Sequence, residues 1–340
     1  MSDTLPPLAP KPRPELQSFK PELYGTLTTL PELSGHNKLA YALGWNYNGS
    51  FLASGSTDRS VRVWDADTNM LITECLGHND SVNQLVWDPT STNRVASACN
   101  DKSMRIWDVK SAKSTANLSF SSEIMNLAYT NDGKYIAAGH NDSVINLIDT
   151  RKNKVVRRIV NPFDVNELQY NKQGFLFVAA GHPSGYGTFE VMKLVHEDKH
   201  SAPTLENIHK VIAHSGSCFA IDLDSTGRRL ALGGADSLVS IWDLEEIYCE
   251  HTFIGSTSLI RTVSFSYDGL FLASGSEDHC IPILHVPTGT LAFSIGMNAS
   301  PQQIAWHPTK PVLAYIGDKG SLDKNKDRAG AIKLVALKAP

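Results

Sequence analysis

The sequence predicts an all-β protein in which a sheet of four short strands is repeated seven times around an axis. The first observation behind this prediction is a recurring segment. The stretch "LASGSTDRSVRVWD" at 52–65 returns as "VASACNDKSMRIWD" at 95–108, and related copies occupy 136–149, 230–243 and 272–285. Each copy holds one aspartate at the same place: Asp58, Asp101, Asp142, Asp236 and Asp278. These aspartates are separated by 43, 41, 94 and 42 residues, which indicates a period near 42 with one further copy inside the long interval.

The order of elements within each unit is the second observation. An alternating strand such as "TVSFSYDGL" (262–270) ends in a turn, for which Asp132-Gly133 and Asp268-Gly269 supply the residues. A strand of small and apolar residues follows, and a tight turn at the aspartate ends it. The third strand is rich in β-branched residues and ends near Trp-Asp, and the fourth strand is variable in sequence. A diverged copy fills the long interval at 174–195, and a last copy spans 311–337, which brings the units to seven.

The two ends of the chain predict how the ring closes. Unit seven ends after its third strand, near Leu337, whereas the segment "YGTLTTLPELSGH" (24–36) has the pattern of a fourth strand preceding unit one. We therefore expect residues near 24–31 to complete the last sheet. The first 31 residues contain seven prolines, so we expect residues 1–22 to form a flexible tail and residues 23–340 to form the ring.

Four strands every 40 to 45 residues, marked by Gly-His and Trp-Asp, resemble WD40 repeats. The resemblance covers nearly all of residues 23–338 and implies a seven-bladed WD40 β-propeller with four antiparallel strands per blade. In WD40 folds an indole, a hydroxyl, an imidazole and a carboxylate form a hydrogen-bonded chain within one blade. The resemblance assigns this structural network to His36, Ser54, Asp58, Trp64, His78, Ser97, Asp101, Trp107, His214, Asp236 and Trp242.

The same Ser, His and Asp residues could also be read as the catalytic set of a hydrolase. A hydrolase needs one activated serine in a cleft, whereas this set recurs in successive units, so we expect no catalytic residues and no enzymatic activity. The set is incomplete elsewhere. Unit five has Leu232 at the hydroxyl position, while Ile148 in unit three and Leu284 in unit six stand where tryptophan is expected. We expect these three blades to depend on apolar packing instead.

Composition and charge exclude several classes of function. The net charge of −4 over 340 residues does not favour nucleic-acid binding, so we expect contact with nucleic acid to be indirect or weak. No run of 18 apolar residues predicts a membrane span, and five cysteines without a Cys-x-x-Cys pair suit a reducing compartment. The segment "HEDKH" (196–200) matches a zinc-protease motif but follows a strand pattern rather than a helix. We therefore expect no metal, no cofactor and no small-molecule substrate.

The top face of the ring is the expected docking surface for protein partners. In WD40 rings the first residue of each inner strand borders the upper mouth of the central channel. Alignment of the units places seven residues there: Tyr41, Asn83, Met125, Asn166, Phe219, Arg261 and Gln302. Tyrosine, methionine, phenylalanine and arginine are residue types that anchor interfaces. The competing interpretation, a merely mixed polar rim, stays open on the sequence.

The last third of the chain resembles the WD-repeat third subunits of THO transcription–export complexes. The resemblance is carried by "GGADSLVSIWDLEEIYCEHTF" (233–253), "RTVSFSYDGLFLASGSEDHCIPI" (261–283) and "IAWHPTKPVLAYIGDKG" (304–320), and by the charged insertion 317–330 before "AGAIKL". It implies a nuclear scaffold that docks on large helical THO subunits during mRNP assembly. Another kind of WD40 adaptor, such as a histone-tail reader or a ubiquitin-ligase substrate receptor, is the alternative.

Overall fold

The computed structural model of the chain describes residues 25–196, 202–317 and 330–338. Within these residues, 28 strands form seven four-stranded antiparallel sheets, and no helix that could cross a membrane is present. The predicted all-β, seven-bladed WD40 β-propeller is thereby confirmed. The proline-rich segment 1–22 and residues 318–329 of the charged insertion lie outside the described residues.

The strands follow one another from the inside of each blade to the outside. Blade 1 contains β2 (Ala40–Trp45), β3 (Phe51–Ser56), β4 (Ser60–Asp65) and β5 (Leu71–Leu76). Blade 2 contains β6 (Val82–Trp87), β7 (Arg94–Cys99), β8 (Ser103–Asp108) and β9 (Lys113–Ser119). Blade 3 contains β10 (Ile124–Tyr129), β11 (Tyr135–His140), β12 (Val144–Asp149) and β13 (Lys154–Val160). Blade 4 contains β14 (Asp164–Tyr170), β15 (Phe175–Gly181), β16 (Gly187–Val195) and β17 (Thr204–His214).

The remaining blades have the same order. Blade 5 contains β18 (Cys218–Leu223), β19 (Arg229–Gly234), β20 (Leu238–Asp243) and β21 (Tyr248–Ile254). Blade 6 contains β22 (Ile260–Phe265), β23 (Phe271–Ser276), β24 (Cys280–His285) and β25 (Thr290–Gly296). Blade 7 contains β26 (Gln303–Trp306), β27 (Val312–Ile316), β28 (Ile332–Lys338) and, as its outermost strand, β1 (Thr26–Thr29).

The outermost strand of blade 7 closes the ring, as the sequence predicted. Strand β1 pairs with β28 in antiparallel register from Thr26 opposite Lys338 to Thr29 opposite Val335. Leu33 extends the pairing, because its N–H donates to Ile332 O at 2.9 Å and its carbonyl accepts from Ile332 N at 3.1 Å. The Leu33 side chain is buried among residues of blades 7 and 1. The first and the last of the described strands therefore pair in the same sheet.

The turn after each second strand explains why an aspartate recurs there. The Asp58 carboxylate accepts hydrogen bonds from Ser60 N at 3.0 Å and from the Ser60 hydroxyl at 2.6 Å. Between them Arg59 adopts a left-handed conformation with φ of 72°. A short acidic side chain that bonds to the backbone two residues later stabilises such a turn locally. The turn holds the carboxylate at the top of the blade.

The core consists of layers between neighbouring blades. One hydrophobic cluster joins Val61 and Val63 of blade 1 to Leu85 and Val95 of blade 2. The second strand of each blade is rich in small residues because the next blade packs directly on it. At Gly55 an added Cβ would lie 2.5 Å from the Val82 side chain of blade 2, so glycine is required by close approach.

Candidate protein-interaction site

The hydrogen-bonded chain of blade 1 joins four side chains in the predicted order. The Trp64 indole N–H donates to Ser54 Oγ at 3.0 Å, and Ser54 Oγ lies 2.7 Å from His36 Nε2. His36 Nδ1 lies 2.9 Å from Asp58 Oδ2. Because the carboxylate only accepts, Nδ1 carries the proton, and Nε2 accepts the serine proton. Burial by itself raises the pKa of Asp58, but the hydrogen bonds from His36 and Ser60 lower it by more. The pKa of Asp58 therefore lies well below its ordinary value.

Blade 2 repeats the chain with one difference. His78 Nε2 lies 2.7 Å from Ser97 Oγ, and the Trp107 indole donates to the same oxygen at 2.8 Å. The distance from His78 Nδ1 to Asp101 Oδ2 is longer, at 3.5 Å, and burial lowers the pKa of His78 to about 4. Ser97 is fully buried, and its oxygen is occupied by two partners. Such a hydroxyl has no access to a substrate, which supports a structural function.

Blade 5 contains a complete chain, so the expectation that it depends on apolar packing alone was wrong. His214 Nδ1 lies 2.9 Å from Asp236 Oδ1, and His214 Nε2 lies 2.8 Å from Ser240 Oγ. The Trp242 indole donates to the same serine oxygen at 2.8 Å. Ser240 lies on β20 directly opposite Leu232 on β19, the position at which blades 1, 2 and 6 carry Ser54, Ser97 and Ser274. The network needs an oxygen at one point in space, and either of the two paired strands can supply it.

Blades 3 and 6 lack the indole. Ile148 and Leu284 take its place and are buried in hydrophobic clusters with the neighbouring blade. Blade 3 keeps a shorter polar contact, because Asn146 Nδ2 lies 2.8 Å from His140 Nε2. The polar chains of blades 1, 2 and 5 are thus supplemented by apolar contacts elsewhere in the ring.

One group of metal-ligand residue types occurs among the described residues, at the top of blade 2. Ligand-type atoms of His78, Cys99 and Asp101 lie within 4.8 Å of one another. Both imidazole nitrogens of His78 already contact protein side chains, and the Cys99 thiol lies 3.2 Å from Asp80 O. Burial raises the pKa of Cys99 to about 12, which opposes the thiolate that a metal requires. This group therefore fits a hydrogen-bonded turn better than a metal site.

The zinc-protease motif falls largely outside the described residues. His196 directly follows strand β16, and residues 197–200 are not described. Described residues on both sides place the segment in the connection between β16 and β17.

The seven predicted top-face residues lie at or beside the start of the inner strand of each blade. In six blades the residue is the extra one in a β-bulge near the start of the inner strand: Tyr41, Asn83, Met125, Asn166, Phe219 and Arg261. In blade 7, Gln302 directly precedes β26, and its N–H donates to Ile316 O at 2.9 Å. A bulge changes the direction in which the side chain of the extra residue points relative to a regular strand. The bulged residues therefore hold equivalent places near the starts of six inner strands, and Gln302 lies just before the start of the seventh.

The predicted top-face residues include exposed apolar side chains and one arginine that already forms an ion pair. Tyr41 and Met125 are exposed, and Phe219 is half-buried. Arg261 forms an ion pair with Glu277, and Asn83 donates a hydrogen bond to Asn100. Asn166 Nδ2 donates to Cys218 O of the next blade at 2.7 Å, so this residue also joins blades. The residues with free apolar surface are those best suited to contact a protein partner.

Two acidic residues of the central channel escaped the sequence analysis. Glu167 Oε2 accepts from Ile221 N of blade 5 at 2.8 Å, and Asp222 Oδ2 accepts from Phe265 N of blade 6 at 2.7 Å. They line a channel of about 400 Å³ formed by the inner strands. Burial raises the pKa of Glu167 to about 8 and that of Asp222 to about 6. The alternating patterns of their strands gave no sign that these side chains bridge neighbouring blades.

Comparisons with known proteins agree with one another. A family model described as the THOC3 beta-propeller domain matches residues 36–316. THO complex subunit 3 of Arabidopsis thaliana is 38% identical in an alignment of 311 positions that covers 88% of this chain and 95% of that protein. WD repeat-containing protein AAC3 of Dictyostelium discoideum is 32% identical over 86% of this chain and 64% of its own length. Protein TEX1 of Saccharomyces cerevisiae is 24% identical over 82% of this chain and 67% of its own length.

A solved structure supports the architecture independently. The β-propeller domain of Myceliophteria thermophila Cps50 (Swd1) superimposes with a TM-score of 0.76 over 92% of this chain and 100% of that chain. At 18% sequence identity this likeness concerns the fold alone.

Proposed function

The chain belongs to the THOC3 β-propeller family, and from this premise we propose that it is a non-enzymatic scaffold subunit of a nuclear THO-type complex. In this proposal it docks on large helical subunits while messenger ribonucleoprotein is assembled for export. The observation that carries the proposal is the 38% identity to a THO complex subunit 3 of which this chain covers 95%. The likeness runs over nearly the full length of that relative, and the family model that matches residues 36–316 describes the THOC3 propeller in particular.

The top face is our proposed docking surface. Its seven positions are equivalent by the register of the inner strands, so one rigid ring presents them together. Tyr41, Met125 and Phe219 offer apolar surface, and Arg261 offers a guanidinium group whose present partner, Glu277, is itself exposed. Aromatic residues, methionine and arginine are enriched at the centres of interfaces.

The non-enzymatic part of the proposal has support from the buried networks. Ser54 and Ser97 have the residue neighbours of a hydrolase nucleophile, yet both are fully buried and both accept an indole N–H. We also propose that the propeller domain starts near residue 23 and that residues 1–22 precede it as a separate tail, in line with β1 beginning at Thr26.

Affinity purification of the tagged full chain with mass spectrometry tests this function. Helical THO subunits recovered in near-stoichiometric amount are the expected result. Recovery of histones or of a cullin adaptor in their place would favour the other class of WD40 adaptor and contradict the proposal.

A further inference from the structure

The outer sides of blades 2 and 3 carry a cluster of cations, most of them at the lower end of the ring. In each of these blades the third strand begins at the top turn, so the turn from the third to the fourth strand lies at the opposite end from the top face. Seven exposed lysine and arginine residues lie in the two outer hairpins and in the first lower turn of blade 3: Lys110, Lys113, Lys134, Arg151, Lys152, Lys154 and Arg158. We call this cluster the lower basic edge.

The lower turns of the two outer hairpins have cations at the same positions. The turns begin with Asp108 in blade 2 and with Asp149 in blade 3. The residues two and five places later are cations in both blades: Lys110, Lys113, Arg151 and Lys154. At the first of these positions blade 1 has Asp67 and blade 5 has Glu245. The cations therefore distinguish two neighbouring blades and are not a general feature of the repeat.

The acidic residues of the lower basic edge do not neutralise it. Three aspartates lie among the seven cations, which leaves an excess of four positive charges: Asp108, Asp132 and Asp149. Two of them are held by their own turns, because the Ser111 hydroxyl donates to Asp108 at 2.5 Å and Arg151 N donates to Asp149 at 2.9 Å. The neighbouring connection 197–201 lies outside the described residues, and its sequence adds two acids and one lysine.

Two of the seven cations form ion pairs within the described residues. Lys134 Nζ lies 2.6 Å from Asp132 Oδ2, and Lys152 Nζ lies 3.7 Å from Asp149 Oδ2. Asp108 and Asp149 lie opposite two further lysines in strand register but form no ion pair with them. Five cations are thus available to an anion from outside, as far as the described part of the chain shows: Lys110, Lys113, Arg151, Lys154 and Arg158.

The surroundings of these cations favour a phosphate backbone over a protein partner. In the two outer hairpins, 103–119 and 144–160, the exposed large apolar residues are Val155 and Val160, and no aromatic residue there is exposed. Protein interfaces are enriched in aromatic residues and methionine at their centres. Contacts with phosphate oxygens need only cations and small polar groups.

Protection of strand edges does not account for the cluster. Lysine and arginine on an outer strand oppose the pairing of that strand with another chain. The outer strands β5, β21 and β25 contain neither residue, although each exposes a large apolar side chain: Leu76, Ile254 and Leu291. Cations are therefore not the usual means by which this ring protects its outer strands.

We propose that the lower basic edge binds the phosphate backbone of a nucleic acid without reading its sequence. Arg151 and Lys154 contact phosphates beside blade 3, and Lys110 and Lys113 contact phosphates beside blade 2. The net charge of −4 belongs to the whole chain, whereas binding depends on the local field of the cluster. This site goes beyond the proposed function, and because it faces away from the top face, both surfaces can be occupied at once.

Fluorescence anisotropy with the full chain and a short labelled oligouridine tests the proposal. The slope of log affinity against log salt should be about −3, as expected for about four phosphate contacts with a single strand. Arg151→Glu combined with Lys154→Glu should weaken binding at low salt at least about tenfold. Arg151→Gln combined with Lys154→Gln introduces no acid beside Asp149, so it folds more safely, and it should reduce the slope by about 1.4. Lys110→Gln combined with Lys113→Gln should have the same effect on the slope.

A matched control lies at the top of blade 1. Lys38 and Arg59 are exposed, and Lys38→Glu combined with Arg59→Glu changes the net charge as much as Arg151→Glu with Lys154→Glu does. The control should keep the affinity for oligouridine within about twofold, because salt screens distant charges. Oligodeoxythymidine of the same length should bind about as well as oligouridine, since the contacts are to phosphates.

Several results would overturn the proposal. These are no binding of oligouridine at low salt, an equal loss in the control, or tighter binding of a polyglutamate peptide, which would assign the lower basic edge to an acidic protein. Recovery of THO subunits by the Arg151→Gln, Lys154→Gln variant should be unchanged. A loss of those subunits would assign the edge to protein docking instead.

Discussion

Replacement of Ser240 by alanine tests whether a hydroxyl on the third strand of blade 5 stabilises the fold as the serine on the second strand does in blade 1. The serine oxygen contacts His214 Nε2 and the Trp242 indole, each at 2.8 Å, and is buried. Ser240→Ala therefore leaves two buried polar groups without a partner. Each such group costs about 1–3 kcal/mol, so the free energy of unfolding should fall by about 2–6 kcal/mol.

Ser274→Ala in blade 6 is the matched control. Ser274 is equally buried, but Leu284 occupies the place of the indole in that blade. No indole N–H donates to its hydroxyl, so Ser274→Ala leaves no such donor without a partner, and the free energy of unfolding should fall by no more than about 1 kcal/mol. Urea unfolding followed by circular dichroism measures both values.

A second substitution makes the test stricter. Leu232 faces Ser240 across β19 and β20, so Leu232→Ser in the Ser240→Ala background returns a hydroxyl to the position that Ser54 holds in blade 1. Because Leu232 is fully buried in the core, the comparison is with Leu232→Ala in the same background. The variant with serine at 232 should be more stable than the variant with alanine by at least about 1 kcal/mol, the value of one restored hydrogen bond. Equal losses for Ser240→Ala and Ser274→Ala, with no advantage of serine over alanine at 232, would refute the reasoning.

Three further predictions concern closure, the channel and the strained turn. Deletion of residues 1–18 should leave the melting temperature nearly unchanged, whereas deletion of 1–33 removes β1 and Leu33 and should abolish cooperative melting in calorimetry; equal melting curves would contradict closure. The raised pKa of Glu167, about 8, means that the folded state resists ionisation, so stability falls as pH rises from the ordinary value of 4.5 towards 8. Glu167→Gln should therefore raise the free energy of unfolding at pH 9 by at least about 1.4 kcal/mol, which corresponds to one pKa unit. At pH 4 the substitution should leave the free energy of unfolding unchanged. Urea unfolding at both pH values measures the two differences. Ile247, in the turn between β20 and β21, adopts a φ of 53°, which β-branched residues avoid. Ile247→Asn should therefore raise the free energy of unfolding by about 1 kcal/mol through relief of strain, and a decrease measured by urea unfolding would argue against strain there.

The repeat made the fold predictable to the level of individual strands. Residues near 24–31 could be assigned to the last blade because unit seven lacked a fourth strand and every other unit had one. The top-face residues could be aligned because a bulge recurs at the same point of the inner strand. In both cases the periodicity supplied information that a single unit does not contain.

Features that depend on distances between strands or blades could not be predicted. Ser240 was overlooked because the serine was sought on the second strand, whereas the network only requires an oxygen between His214 and Trp242. Glu167 looked like an ordinary polar residue of an alternating strand, since its contact with Ile221 N depends on the spacing of inner strands. The recess of about 620 Å³ between blades 4 and 5 arises between two units, and a repeat pattern describes only the units themselves.

The proposal that the chain docks on helical THO subunits through its top face is tested most directly by co-precipitation of those subunits with a top-face double variant. Phe219→Ala combined with Arg261→Ala removes one aromatic side chain and one guanidinium group from the proposed interface, and neither residue is fully buried. The account predicts at least about a tenfold loss of co-precipitated subunits, as for hot-spot residues, with an unchanged melting temperature. Undiminished recovery by the folded variant would contradict docking through the top face.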